Sequence, residues 1–396
     1  MKSTWWGVLT LLGIVAILLA SPVAAASGSP AATSHTNSAV APSYSHHPVE
    51  KKFYPRSYDA TILASVGPVA LSVLLLNNGS EQVILFNAVT DSTYIAQKVL
   101  PGGTLGFADT VVAAGGNFFL QGEDLLSNTN YFEEITPAGV ISTPSLPVPL
   151  YSAWTLIGDN SNHLFASGPT DFIAINPWTF AIEANFSALI PANVGVTSVA
   201  SAGPLLYIGG TLSLPSGGTA PFFGFINTKA FSETTLSSSV SSNPLYLDGG
   251  IDTIAVSLGF VFFGGYLQIF EPTLQTIVGG YLFDYSPYTG TVKNLSYLEP
   301  ISKWAVFAIF NLGPAIVMTI GSYNSTLTGL TQVSGTYGLA PQPHQLFNLS
   351  RFTGSNFAAI YLETSLTDGI FFVGGLDVRT NVAEIVAVPE ADLEPR

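Results

Sequence analysis

The sequence predicts an all-β protein, a seven-bladed β-propeller made of four-stranded antiparallel blades, and three observations carry that prediction. The first is a recurring phrase. Leu-Leu-Tyr-Ile-Gly-Gly at 205–210 returns as Phe-Val-Phe-Phe-Gly-Gly at 260–265 and as Ile-Phe-Phe-Val-Gly-Gly at 370–375. The second is period: the residues that end each such strand, Asn77, Gly122, Gly168, Gly209, Gly264, Gly321 and Gly374, fall 41 to 57 residues apart. That is the length of one four-stranded blade. The third is punctuation, because Gly, Pro, Asn and Ser clusters separate short runs of Val, Ile, Leu, Phe and Tyr, as tight turns between strands require. Six or eight blades are the alternatives that the weaker upstream copies leave open.

Each repeat shows the same internal order. An inner strand, such as Asp252-Thr-Ile-Ala-Val-Ser, leads through a Gly turn to the marker strand. A connection follows, then a third strand ending in turn residues, as in Phe283-Asp-Tyr-Ser-Pro-Tyr-Thr-Gly, Ile175-Asn-Pro-Trp-Thr and Phe347-Asn-Leu-Ser-Arg. A fourth strand is expected beyond each. The last repeat has no room for one, since only Pro389 to Arg396 follow its third strand at Val382 to Val388. The segment Val49 to Tyr58 is placed to supply it, closing the ring and covering an otherwise unpaired sheet edge.

Residues 1–26 carry Lys2, an apolar run from Trp5 to Ala20, and a small-residue exit at Ala24 to Ala26. This order is that of a secretory signal peptide, with a retained anchor as the alternative. The run is shorter than the roughly 20 residues of a membrane span. Residues 27–48, rich in Ser, Ala, Pro and His, read as a flexible leader, and 49–396 as the propeller domain. The protein is then secreted or held at the cell surface, with no stable membrane span after cleavage, and is expected to be a monomer. Its net charge of −14 argues against nucleic acid as a partner. Charged residues make up only 9% of the chain, against a usual quarter, which suits a protein adapted to acid. With no cysteine there is no disulfide and no thiolate chemistry. The Asn-x-Ser/Thr triplets at Asn78, Asn185, Asn294, Asn324 and Asn348 are candidate glycan acceptors.

Strands ending in Gly-Gly at 209, 264 and 374, together with the aromatic-Asp-x-x-Pro-x-Thr turn at 283–289, resemble the kelch and galactose-oxidase-like β-propellers. The resemblance spans most of residues 57–396 and implies the ring. Three of the repeats keep both glycines, and the tryptophan usual late in a kelch blade is missing. The resemblance carries over no catalytic residue, and the copper chemistry of galactose oxidases has no counterpart in a chain without cysteine or a convincing set of His and Tyr ligands.

In an antiparallel blade the start of the first strand and the connection between the second and third strands share one face. Those connections are long at about 211–220, 266–279 and 322–342, and carry Tyr266, Phe270, Tyr323 and Tyr337. The starts of the inner strands present Asp59, Asp109, Trp154, Thr197, Asp252 and Trp304. Carboxylates accept sugar hydroxyls or coordinate Ca²⁺, and indoles pack on pyranose rings. The ligand-binding candidates are therefore Asp59, Asp109, Trp154, Asp252, Trp304 and Tyr266. The same residue types also cap turns and fill channel walls. No metal or organic cofactor is expected beyond Ca²⁺ at the channel mouth. The expected function is binding of a carbohydrate or an extracellular protein through the long-connection face. The alternatives are a carbohydrate-active hydrolase or lyase using two of the three aspartates, and a structural subunit of the cell envelope.

Overall fold

The computed structural model describes residues 50–78, 81–95, 106–124, 129–146, 155–158, 163–168, 170–215, 217–236, 247–257, 259–271, 274–298, 305–312, 315–326, 329–340, 345–348, 357–358, 364–367, 369–377 and 379–389. The N-terminal apolar run and the leader lie outside the described residues. Apart from one 3-10 turn at Ser187–Leu189, every regular element described is a strand.

The strands form six antiparallel sheets. β1 (Glu50–Tyr54) is followed by β2 (Ser57–Val66), β3 (Val69–Leu76), β4 (Glu81–Asn87) and β5 (Ser92–Ile95), the last four forming one sheet in chain order. The next is β6 (Gly106–Ala114), β7 (Asn117–Asp124), β8 (Thr129–Ile135) and β9 (Ile141–Ser142). A third contains β10 (Thr155–Gly158), β11 (Leu164–Ser167), β12 (Phe172–Ile175) and β13 (Ile182–Asn185). The fourth contains β14 (Val194–Ala202), β15 (Leu205–Ser213), β16 (Thr219–Asn227) and β17 (Ser232–Thr235).

An eight-stranded sheet comes next. Its first half is β18 (Leu247–Ser257), β19 (Phe260–Glu271), β20 (Leu274–Ser286) and β21 (Thr291–Asn294). Its second half is β22 (Ala305–Leu312), β23 (Ala315–Thr326), β24 (Gly329–Ala340) and β25 (Gln345–Asn348). The pairing of Thr276 with Asn324 joins the halves. Phe347 and Asn348 thus lie in a fourth strand, not at the end of a third as the sequence suggested. The last sheet holds β26 (Phe357–Ala358), β27 (Thr364–Thr367), β28 (Ile370–Asp377) and β29 (Val382–Pro389), with β1 on its outer edge. β1 runs antiparallel to β29, from Glu50 opposite Ala387 to Tyr54 opposite Ala383.

The core lies between sheets rather than within one. Leu71 and Leu85 of the first four-stranded sheet cluster with Val111 and Leu120 of the next. Phe172 and Phe222 join the third and fourth, and Phe223 and Phe263 join the fourth to the eight-stranded sheet with ring centroids 4.9 Å apart. Phe86 and Phe372 join the first to the last. A sheet covered on both faces needs apolar residues on both sides of each strand, which is why Phe-Val-Phe-Phe shows no alternation. The first strands pack in succession, β2 on β6, β6 on β10, β10 on β14, β14 on β18, β18 on β22, β22 on β27, and β27 on β2.

Strand direction divides the molecule into two faces. On one, the inner strands begin and the second strand turns into the third; here β19–β20 and β23–β24 run on as long hairpins. The connections expected at 266–279 and 322–342 are therefore largely strand: Tyr266–Glu271 continues β19, Leu274–Gly279 opens β20, Ser322–Thr326 ends β23 and Gly329–Ala340 is β24. On the other face lie the tight turns between strands one and two and between strands three and four. An Asx cap recurs in the latter: Asn87 Oδ1 accepts from Val89 and Thr90 N–H, Asn176 from Trp178 and Thr179, and Asn227 from Lys229 and Ala230. That turn chemistry was legible as Asn before a short polar gap.

Candidate functional site

The Gly-Gly phrase has a steric origin. Inner strand β18 bulges at Asp252, because Ile251 pairs with Gly265 while Thr253 pairs with Gly264. A β-bulge puts two residues opposite one and bends the strand. The bend carries β18 so close to β19 that a Cβ on Gly265 would meet the carbonyl oxygen of Gly250. A Cβ on Gly264 would stand 2.7 Å from both Ile309 Cδ1 and Val306 Cγ1 of β22. The same arrangement recurs at Thr197, which bulges between Val196↔Gly210 and Ser198↔Gly209, and at Asp109, between Ala108↔Gly122 and Thr110↔Gln121.

Register therefore places Asp109, Thr197 and Asp252 at equivalent positions of their inner strands. Asp59 sits elsewhere: it pairs with Leu75, between the two register shifts of β2, at Ser57/Asp59 and at Ile62/Ala64. The side chains of Asp59 and Asp109 lie outside the described residues, as do Trp154 and Trp304. Tyr266 lies in β19 at the root of the hairpin, opposite Gly250. Its ring closes over that glycine, within 3.2 Å of where a Cβ would be, while Tyr281 approaches Gly249 to 3.1 Å in the same sense. Thr219 Oγ1 donates to the Gly249 carbonyl at 3.0 Å and accepts from its N–H at 3.1 Å. Burial raises the Tyr281 phenol above its ordinary value.

Asp252 is 2% exposed, and neither of its carboxylate oxygens has a hydrogen-bond partner. Desolvation pushes its carboxyl well above the usual carboxylate range, since burial disfavours the charged form. Its equivalent Thr197 is satisfied, donating at 2.6 Å to the carbonyl of Ile251, the residue before Asp252. Thr253 Oγ1 in turn accepts the N–H of Ile309 at 3.0 Å. These two hydroxyls stitch β14 to β18 and β18 to β22. In its buried state Asp252 cannot touch a ligand in solvent, and among the described residues no three carboxylates or imidazoles gather to hold a metal ion.

Glu133 was not among the expected residues. It is 5% exposed, Oε2 has no partner, and burial pushes its carboxyl up to about 7. The signal was present in Tyr131-Phe-Glu-Glu-Ile, where a period of two sets Glu133 beside Tyr131 and Ile135, on the side of β8 packed toward the first four-stranded sheet. Of the candidate glycan acceptors, Asn78, Asn185 and Asn294 are exposed, while Asn324 and Asn348 are placed only by register, opposite Thr331 and Tyr337. Asn185 and Asn294 close their fourth strands identically. Each accepts the N–H of the serine two residues on, and those serines, Ser187 and Ser296, accept the N–H of Phe172 and Leu282.

No family model matches the chain, and no curated protein does. Among solved structures it is similar to YCF48 bound to D1 peptide, with 9% identity, 94% of this chain and 98% of that one covered, and a TM-score of 0.52. It is similar also to an ulvan lyase of polysaccharide lyase family PL25, at 7% identity, with 86% and 96% covered and a TM-score of 0.50. Similarity at such low identity shows the fold alone: an all-β, β-propeller-like architecture.

Proposed function

We propose that this chain is an exported seven-bladed propeller with kelch-like strand ends that binds a carbohydrate or a surface protein on its hairpin face. The observation that carries the reading is the pair of hairpins, β19–β20 and β23–β24, which outrun the other strands on that face and touch at Thr276 and Asn324. Together they make a wall beside the starts of the inner strands, and propellers present binding residues at such blade ends. Of the neighbours in fold, one is described as bound to a peptide and another as a polysaccharide lyase, so both ligand classes have precedent on this architecture. The closed burial of Asp252 counts against a lyase or hydrolase working through it, because a general acid must reach the atom it protonates.

The ring has seven blades in this reading because the eight-stranded sheet counts as two, and β1 completes the last. The succession of inner-strand contacts from β2 through β27 and back to β2 supports closure. Residues 1–26 act as the export signal, 27–48 as a leader, and the exposed asparagines as glycan sites on a secreted or surface-held monomer. Deleting 27–58 opens the ring and abolishes cooperative unfolding, whereas deleting 27–46 leaves the melting temperature unchanged; equal melting of the two would refute closure.

The binding reading is tested by replacing 268–277 and 323–332, each with an Asn-Gly turn, and probing wild type and variant on a glycan array and against cell-surface protein extracts. The expected result is a wild-type signal that the trimmed protein loses while melting at the same temperature. A trimmed protein that binds as wild type removes the hairpins from the site.

A further inference from the structure

All five Asn-x-Ser/Thr triplets of the chain fall on one face. Asn78 lies in the connection from β3 to β4 and Asn324 near the end of β23, where second strands turn into third. Asn185, Asn294 and Asn348 are the last residues of β13, β21 and β25, fourth strands that run from the turn face to the hairpin face. The opposite face has asparagines too: Asn87, Asn117, Asn176, Asn227 and Asn311 lie at or beside its turns. None of them has Ser or Thr two residues on.

Three of the triplets share one built position. Asn185 pairs with Ile173, Asn294 with Phe283 and Asn348 with Tyr337, and each is followed by a large apolar residue and a serine: Phe186-Ser187, Leu295-Ser296 and Leu349-Ser350. In the two triplets whose side chains are described the middle residue is buried, Phe186 at 3% and Leu295 at 2%. Its N–H donates back to the third strand, to the carbonyls of Phe172 and Leu282, at 2.8 Å in both cases. The serine hydroxyl is engaged as well: Ser187 Oγ accepts the Phe172 N–H at 3.0 Å and donates to Asp171 Oδ1 at 3.4 Å, and Ser296 Oγ accepts the Leu282 N–H at 3.1 Å. The asparagine stays exposed. Its Oδ1 accepts the serine N–H, at 2.9 Å for Asn185 and 2.8 Å for Asn294. The fourth sheet shows that this closure does not require asparagine: Thr235 stands at the same register, opposite Gly224, and Leu236 N–H donates to the Phe223 carbonyl at 2.9 Å.

From the one-sided placement and the locked triplets together, we propose that Asn185, Asn294 and Asn348 carry N-linked sugars around the rim of the hairpin face, attached to the chain before its blades close. Sugar transfer presupposes the export proposed above, because the acceptor must meet a sugar activated as a lipid-linked diphosphate. In the transfer the asparagine Nδ2 bonds to the anomeric carbon, the bond from that carbon to the diphosphate oxygen breaks, and one Nδ2 proton passes to a base of the transferase. The Ser or Thr of the triplet is part of what makes the asparagine an acceptor. In the folded protein the serine hydroxyl is held by the third strand and the middle residue lies in the core, so only an unfolded chain offers the whole triplet. Once the strand closes, Oδ1 keeps its hydrogen bond and the substituted nitrogen sits on an exposed side chain, so sugar and strand closure coexist.

Two measurements on the full chain test this. The first is peptide mass spectrometry of the protein made in a cell that N-glycosylates its exported proteins. Sugar is expected at Asn185, Asn294 and Asn348, and Asn185→Asp, which keeps an oxygen to accept the Ser187 N–H but has no amide nitrogen, is expected to fold and to lose that one sugar chain. An exported protein bare at Asn185 and Asn294 overturns the rim alone, whereas a bare protein held inside the cell with residues 1–26 still attached overturns the export reading along with it. In the second measurement the unmodified chain is offered to transferase-bearing membranes and lipid-linked sugar, either folded or freshly diluted from urea. The diluted chain is expected to take sugar at Asn185 and Asn294 and the folded chain to take none there. A folded chain that accepts sugar as the diluted one does, or a diluted chain that accepts none, overturns the proposal.

Discussion

The two halves of the eight-stranded sheet share one strand order and one bulge, but they fill it differently. In the first half the bulged residue is Asp252 and the facing strand supplies Gly264 and Gly265. In the second half the bulge falls at Phe307, between Val306↔Ile320 and Ala308↔Thr319, with no glycine at either facing position. The bulge is therefore a property of the backbone and not of a glycine pair. What demands glycine in the first half is proximity. The carbonyl of Gly250 and the side chains of Val306 and Ile309 occupy the space that two Cβ atoms would need, while at the equivalent of Gly265 the second half buries a whole isoleucine, Ile320, beside Met318. The repeated Gly-Gly is thus a record of packing and not a ligand motif.

The largest effect that would break this comparison comes from Gly265→Ala set against Ile320→Ala. A methyl at 265 strikes a backbone carbonyl that cannot turn aside, and the expected loss is above about 3 kcal/mol, with failure to fold as its extreme. Truncating Ile320 leaves a cavity and costs about 2–5 kcal/mol, with folding retained. Urea melts of both variants are the measurement. If Gly265→Ala costs under about 1 kcal/mol, the proximity argument is wrong.

A smaller effect sharpens the contrast at the bulge itself, where the first half carries an acid, Asp252. Asp252 and Glu133 both have folded-state pKa values raised by burial. Glu384 is raised as well, opposed by Lys51 at 3.2 Å. A raised carboxyl binds a proton in the native state that the unfolded chain has already released, so stability is greatest below the unfolded value and declines as pH rises toward the folded one. For Glu133 that window runs from 4.5 to about 7, and the decline across it is about 3 kcal/mol. Thermal melts from pH 3 to 8 should therefore show the protein at its most stable in acid. Glu133→Gln should flatten the fall between pH 4.5 and 7, and Asp252→Asn the part that begins near 3.8. A wild type most stable at pH 7 or above would contradict both.

The chain itself determined a great deal. Apolar strands that stop at glycine, recurring at blade length, specify four-stranded antiparallel units, because both faces of each strand must be covered and each turn needs Asn, Gly or Pro at a set place. Val49 to Tyr58 was expected beside Val382 to Val388; Glu50 to Tyr54 do pair with β29, whereas Ser57 and Tyr58 begin β2. The sequence puts Asp109, Thr197 and Asp252 at strand starts, and pairing sets them at one register position; Asp59 reads the same way in sequence, but its pairing with Leu75 sets it apart. Only the tertiary structure decided the rest. Whether a connection is a loop or a hairpin depends on the partner across it, and the residues at 266–279 and 322–342 carry no turn signal sharp enough to show where the strand bends. Burial of Asp252 and of Glu133 is decided by the neighbouring sheet, which closes over a carboxyl that in sequence looks like any strand-entry acid. The two faces, finally, exist only once strands are assembled: Val89, Trp178 and Tyr288 are far apart in the chain, and antiparallel order alone brings their turns to the same side.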